Sequence, residues 1–113
     1  MDIEIKKWLH DISHSIEEVE QHHFKIFKKN FKEYQKNPTL KRAVERNLEI
    51  IGEAVNRILK KDTKIKITNA KSIVGLRNHI IHSYDNITDE MIWAIISKHL
   101  PKLKKEIKSL LKE

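Results

Sequence analysis

Isoleucine, leucine and valine return at steps of three and four along most of this chain, and that spacing restricts its fold more than any other feature. Ile5, Leu9, Ile12, Ile16 and Val19 begin the pattern, with His23 and Ile26 continuing it. A second stripe holds Leu40, Val44, Leu48, Ile51, Val55, Ile58 and Leu59. A third holds Ile73, Val74, Leu76, Ile80 and Ile81, and a fourth Ile92, Trp93, Ile96, Leu100, Leu103, Ile107 and Leu110. An α-helix turns about 100° per residue, so such positions share one face, whereas a strand needs alternation. Only two glycines and two prolines occur, which leaves little turn chemistry for a multi-stranded sheet. The expectation is an all-α protein, a four- to five-helix antiparallel bundle forming one domain over residues 1–113.

The boundaries can be read in part. The first helix is expected from Ile3 to about Tyr34. Phe24, Phe27, Phe31 and Tyr34 drift out of phase with the stripe, which predicts a bend near His22–Phe24 or a second surface covered by another chain. Asn37 or Thr39 suits the cap of the next helix, with Pro38 in its first turn. Gly52 inside that helix costs about 1 kcal/mol relative to alanine, and a tight helix–helix approach would account for it. DTKIKITNAKS reads as a linker; Lys64–Thr68 alternates, but a lone strand has no partner. Thr88 or Asp89 is placed to cap the last helix, which Pro101 should kink or divide.

Lysine and arginine number 23 against 16 acids, a formal net charge of +7. That excess favours polyanionic partners through long-range attraction and counterion release. The lysine-rich end, KHLPKLKKEIKSLLKE, reads as a solvated helix face or a set of phosphate contacts. With no cysteine the chain has neither a disulfide framework nor a thiolate zinc site. No run has the length of a signal peptide or a membrane span, so a cytoplasmic protein without a membrane partner is expected.

Residues 77–84, RNHIIHSY, concentrate chemistry around two isoleucines. On a continuous helix Arg77 and Tyr84 lie on one side and Asn78 and His82 on another, with Arg77 and His82 about 140° apart. Arg77 and His82 therefore converge only if the helix unwinds or another element or subunit completes the site.

The form R-N-x-x-x-H-x-Y within RNHIIHSYD resembles the motif of the HepT-like toxin branch of the HEPN superfamily. LKRAVERNLEIIGEAVNRI is similar to that branch's second long helix, and VGLRNHIIHSYDNITDEMIWAIISKHLPKLKKEI to its last two, so the resemblance covers about residues 40–111. Where family members often carry a Pro-Trp segment before the motif helix, this chain has IKITNAKS. The resemblance implies an RNA-cleaving toxin of a two-gene toxin–antitoxin module, with tRNA a candidate substrate. Its partner would be a minimal nucleotidyltransferase antitoxin (MntA-like) that adds AMP to the motif tyrosine, here Tyr84. It also implies a symmetric homodimer with the two motifs facing one another. The alternative is a non-catalytic companion that positions substrate for a nucleotidyltransferase.

Cleavage without a metal or cofactor needs a group to move protons and a cation to hold the phosphorane. An imidazole titrates near neutrality and a guanidinium grips two phosphate oxygens, so His82 is assigned proton transfer and Arg77 the clamp. Asn78 is placed to orient His82. His79 reads as part of a polar flank. His10, His14 and Glu18 are spaced for a metal face, although opposite the apolar stripe and so solvated. Arg46, Glu49 and Glu53 line one side of the second helix, pairing among themselves or, for Glu53, leaning on Arg77.

Overall fold

Asp2 starts the first helix by accepting hydrogen bonds from the backbone N–H groups of Glu4 (2.8 Å) and Ile5 (3.2 Å). Those bonds, that from Ile5 foremost, hold its carboxyl below the usual aspartate range. In the computed structural model, which describes residues 2–26, 29–82 and 87–112, helix α1 is α-helical over Ile3–Glu17. It passes through a π-helical turn at Glu18–His23 and closes as α-helix at Phe24–Ile26. Helix α2 is Phe31–Lys36 and α3 is Pro38–Lys61. Helix α4 is Ala70–Ile81. Helix α5 begins at Asp89–Ala94, continues through a π-helical stretch at Ile95–His99 and finishes over Leu100–Lys112. The protein is all-α; among the described residues there are five helices and no strand.

The caps explain the divisions. Asn30, in extended backbone conformation, takes the N–H groups of Lys32 (2.9 Å) and Glu33 (3.3 Å), so a new helix starts where one continuous helix to Tyr34 was expected. Asn37 caps α3 through the N–H of Leu40 (3.0 Å) with Pro38 behind it, and Thr88 caps α5 through the N–H of Met91 (3.2 Å). Residues 62–69 form turns. Asn69 enters α4 with φ 62°, a left-handed conformation that asparagine tolerates better than most residues. Thr68 is fastened to the Glu106 carboxylate through its N–H (3.1 Å) and hydroxyl (2.6 Å).

Helix α3 is the spine. At about 1.5 Å per residue its 24 residues account for most of the 42 Å long axis. It packs against both α1 and α4. The core contains Ile5, Leu9, Ile12, Ile16 and Val19 from α1 and Leu40, Val44, Leu48, Ile51, Val55 and Ile58 from α3. Ile73 and Leu76 of α4 and Ile92, Ile96, Leu100, Leu103 and Ile107 of α5 complete it. All of these belong to the four stripes, whose members Leu59, Val74, Ile80, Trp93 and Leu110 are partly buried against them. The out-of-phase aromatics stay within the chain. Phe24, Phe31 and Tyr34 surround Trp93 at ring-centroid distances of 5.7, 5.7 and 5.6 Å, while Phe27 lies outside the described residues.

The two irregular turns differ in their surroundings. Asn47, buried on α3, donates to the Glu18 carboxylate (2.9 Å) and hydrogen-bonds with His23 Nε2 (2.7 Å), bracketing the π-helical turn of α1. In α5 the wider turn ends at Leu100, whose N–H reaches back to the Ile95 carbonyl. The wide turn shifts carbonyls that the Pro101 ring would otherwise meet, so the helix passes the proline without separating into two. No helix among the described residues is long and apolar enough to cross a membrane.

Candidate active site

The site begins with the missing side chain of Gly52. A Cβ there would press on the Arg77 Cβ, 2.9 Å from Arg77 Cγ and 3.2 Å from the Ile73 carbonyl oxygen. Glycine is therefore what allows α4 to lie against α3 at Arg77, the close approach anticipated from the sequence. One residue on, Glu53 forms an ion pair with Arg77 Nη2. Its other carboxylate oxygen accepts from Arg57 Nε at 3.0 Å. Arg77 Nη1 donates to Asn78 Oδ1 at 2.7 Å. The guanidinium is thus fixed from two sides while a quarter of its side chain stays exposed. Glu53 leans on the motif arginine, and Arg46 pairs with Glu49 at 3.3 Å, so both readings of that acidic face hold.

Arg77 faces an open cleft of about 390 Å³ between α1, α3 and α4. Trp8 and Asp11 contribute from α1, Arg46, Glu49, Glu53 and Arg57 from α3, and Ile81 from the end of α4. Ile81 is 46% exposed and forms part of this wall, whereas Ile80 packs on the core. The expectation that both isoleucines seat the helix therefore holds for Ile80 alone. Trp8, Asp11, Arg57 and Ile81 were not anticipated as site residues. The available signal was slight: Trp8 and Asp11, three apart, share a flank beside the Leu9–Ile12 stripe.

His82 is the C-cap of α4. Its N–H bonds to the Asn78 carbonyl at 3.1 Å, and its backbone (φ −86°, ψ 2°) leaves the helical region only here, after α4 has run regularly to Ile81. The helix does not unwind before it, so the angular offset from Arg77 persists. His82 is exposed and is not among the residues lining the Arg77 cleft. Asn78 touches both motif residues, Arg77 through its side chain and His82 through its carbonyl; its amide is turned to the arginine. His79 lines a separate groove with Gly75 and Met91. Tyr84 lies outside the described residues.

His14 and Glu18 line one shallow hollow without His10, and Glu18 accepts a hydrogen bond from Asn47. Among the described residues no three His, Asp or Glu side chains are grouped as a metal ion would require.

Comparisons with known proteins agree with the motif. Residues 12–110 match a family model described as "Ribonuclease HepT-like". "Putative RNase MJ1380" of Methanocaldococcus jannaschii is 38% identical over 106 residues, which is 92% of this chain and 94% of that protein. "Putative RNase TTE0752" of Caldanaerobacter subterraneus subsp. tengcongensis is 40% identical over 86 residues, 74% of this chain and 76% of its own length. No solved structure gives a significant match.

Proposed function

The chain belongs to the HepT-like ribonuclease family, and from that premise we propose that it is a metal-independent endoribonuclease in which Arg77 clamps the scissile phosphate and His82 moves the proton. The observation that carries this reading is the mounting of Arg77. A guanidinium held by Glu53 and Asn78, on a helix crossing that requires Gly52, has its geometry set before substrate arrives. Preorganised charge of that kind favours a transition state whose phosphorus bears extra negative charge.

In the proposed reaction the ribose 2′-oxygen attacks the adjacent phosphorus and loses its proton to a base. The P–O5′ bond breaks and the leaving oxygen takes a proton from an acid. His82, exposed at the helix end, serves one of these transfers. Arg77 stabilises the phosphorane through its remaining N–H groups. Asn78 aligns the guanidinium and anchors the backbone of His82. Because Arg77 and His82 point apart on one helix, the active unit is proposed to be a symmetric homodimer in which motifs from two protomers form each site.

Control is proposed to act through Tyr84, two residues beyond His82. An AMP group attached there by a nucleotidyltransferase antitoxin would add a phosphate charge beside the clamp and bulk in the path of RNA. With this control, the protein is the toxin of a toxin–antitoxin pair. Tyr84→Phe should retain cleavage and escape neutralisation.

Mass spectrometry of the product ends tests the chemistry. Cleavage by the 2′-oxygen leaves a 2′,3′-cyclic phosphate and a 5′-hydroxyl. A 3′-hydroxyl with a 5′-phosphate would require a different nucleophile and would overturn the assignment of His82 and Arg77.

A further inference from the structure

The family reading supplies a phosphate to Arg77 but says nothing of what fills the rest of the cleft beside it. The cleft of about 390 Å³ is large enough for a nucleobase and is open to solvent along one side. Its apolar lining comes from Trp8, Ile50, Ala54 and Ile81, and of these Ile81 is left 46% exposed. Its polar lining carries both signs. Arg46 and Arg57 offer N–H donors, and Asp11 and Glu49 offer acceptors. These carboxylates are already neutralised by neighbours, Asp11 by Lys7 at 3.0 Å and Glu49 by Arg46 at 3.3 Å. The lining therefore has no large net charge, and it suits a flat, uncharged, hydrogen-bonding group better than a second phosphate.

Trp8 rests partly on the core, and the Lys61 ammonium lies 5.9 Å from its ring centroid. The ammonium is attracted to the negative face of the ring, and Lys61 is itself held by Asp2 and Glu4. An aromatic side chain fixed in this way beside an arginine is the usual equipment for unpaired RNA, where a base stacks on the ring and the backbone meets the cation.

We propose that the Trp8–Ile81 cleft is a nucleobase subsite that receives an unstacked base next to the phosphate held by Arg77. The inference rests on the ribonuclease reading for the identity of the ligand. It implies that single-stranded or looped RNA is taken in preference to duplex, because a paired base cannot enter.

The chain has two tryptophans, and the second, Trp93, lies away from the cleft, packed against three aromatic rings. Tryptophan emission therefore tests the subsite directly. The full chain is titrated with a short 2′-O-methyl RNA, which lacks the attacking hydroxyl, and with a free 5′-mononucleotide, an abasic ribose-phosphate chain and inorganic phosphate. Emission should be quenched by the oligonucleotide, more weakly by the mononucleotide, and not by the two probes without a base. In Trp8→Phe the quenching should disappear, and in Trp8→Leu the oligonucleotide should bind about tenfold more weakly. Quenching that persists in Trp8→Phe, or oligonucleotide affinity unchanged in Trp8→Leu, overturns the subsite. Stronger quenching by the mononucleotide would make the cleft a free-nucleotide site and would overturn its place in RNA binding. RNA cleavage lost in Arg77→Ala but without any Trp8 response would leave the nuclease standing and remove the subsite alone. Trp8-dependent quenching by a chain that cleaves no RNA would keep the subsite and remove the nuclease.

Discussion

Gly52 and Gly75 are both interior residues of helices, yet they predict opposite responses to alanine. At Gly52 a methyl group meets Arg77 and the Ile73 carbonyl. Gly52→Ala should separate α3 from α4 at the site, lower thermal stability and reduce cleavage together. At Gly75 nothing lies within 4 Å of an added Cβ, so Gly75→Ala should stabilise the fold by about 1 kcal/mol, through helix propensity and reduced freedom of the unfolded chain. Thermal unfolding of the two variants measures both effects. Glu45 carries a pH prediction. Burial raises its carboxyl above the ordinary glutamate value of 4.5, so the folded protein binds the proton more tightly than the unfolded chain. Stability attributable to this group is therefore greatest below that value and is lost as pH rises through the folded titration. Glu45→Gln should raise the melting temperature at pH 7, with the gain vanishing in acid as the wild-type side chain becomes protonated. Legibility at this scale was uneven. Arg77 and His82 stood out because their side chains and spacing carry chemistry, and Gly52 because glycine is costly in a helix. Trp8 and Arg57 did not, since their role arises only where α1, α3 and α4 meet.

The elements were legible wherever local rules set them. Asn37 or Thr39 with Pro38 marked the start of α3 and Thr88 or Asp89 that of α5, and the four apolar stripes named most of the core. The end of α1 was not, because Phe31 and Tyr34 look like a continuation until Asn30 turns its side chain onto the next two N–H groups. Nor did the sequence reveal the π-helical turns, of which that in α1 is bracketed by contacts across the bundle. Asn47 marks the clearest case, a polar residue inside an apolar stripe that serves Glu18 and His23 on another helix. Asn47→Leu should leave both groups without that partner in a partly buried setting and cost about 1–3 kcal/mol of stability. Chemical denaturation would measure the loss, and a proton-exchange map should place the loosening at 18–23. A variant as stable as the wild type would show that the π-helical turn is held by packing alone.

At the scale of the whole molecule, the single chain presents its two principal motif residues in different directions. Arg77 enters the cleft while His82 stands at the end of the same helix. The proposed site shared across a symmetric dimer would bring the two together and makes a complementation prediction. Mixed dimers of Arg77→Ala and His82→Ala subunits contain one position with both residues intact. Random pairing should therefore restore about a quarter of wild-type cleavage, half of the dimers each with one of two sites. If each site lies within one subunit, the mixture stays as inactive as its parents. The net charge of +7 adds that RNA binding should weaken steeply as salt rises.

The most direct test of the account is cleavage of total tRNA by the purified chain in EDTA, with Arg77→Ala and His82→Ala alongside and the mass of Tyr84 confirmed unmodified. The account predicts cleavage by the wild type and its loss in both variants while both remain folded. No cleavage by the unmodified wild type, or equal cleavage by either variant, would contradict it.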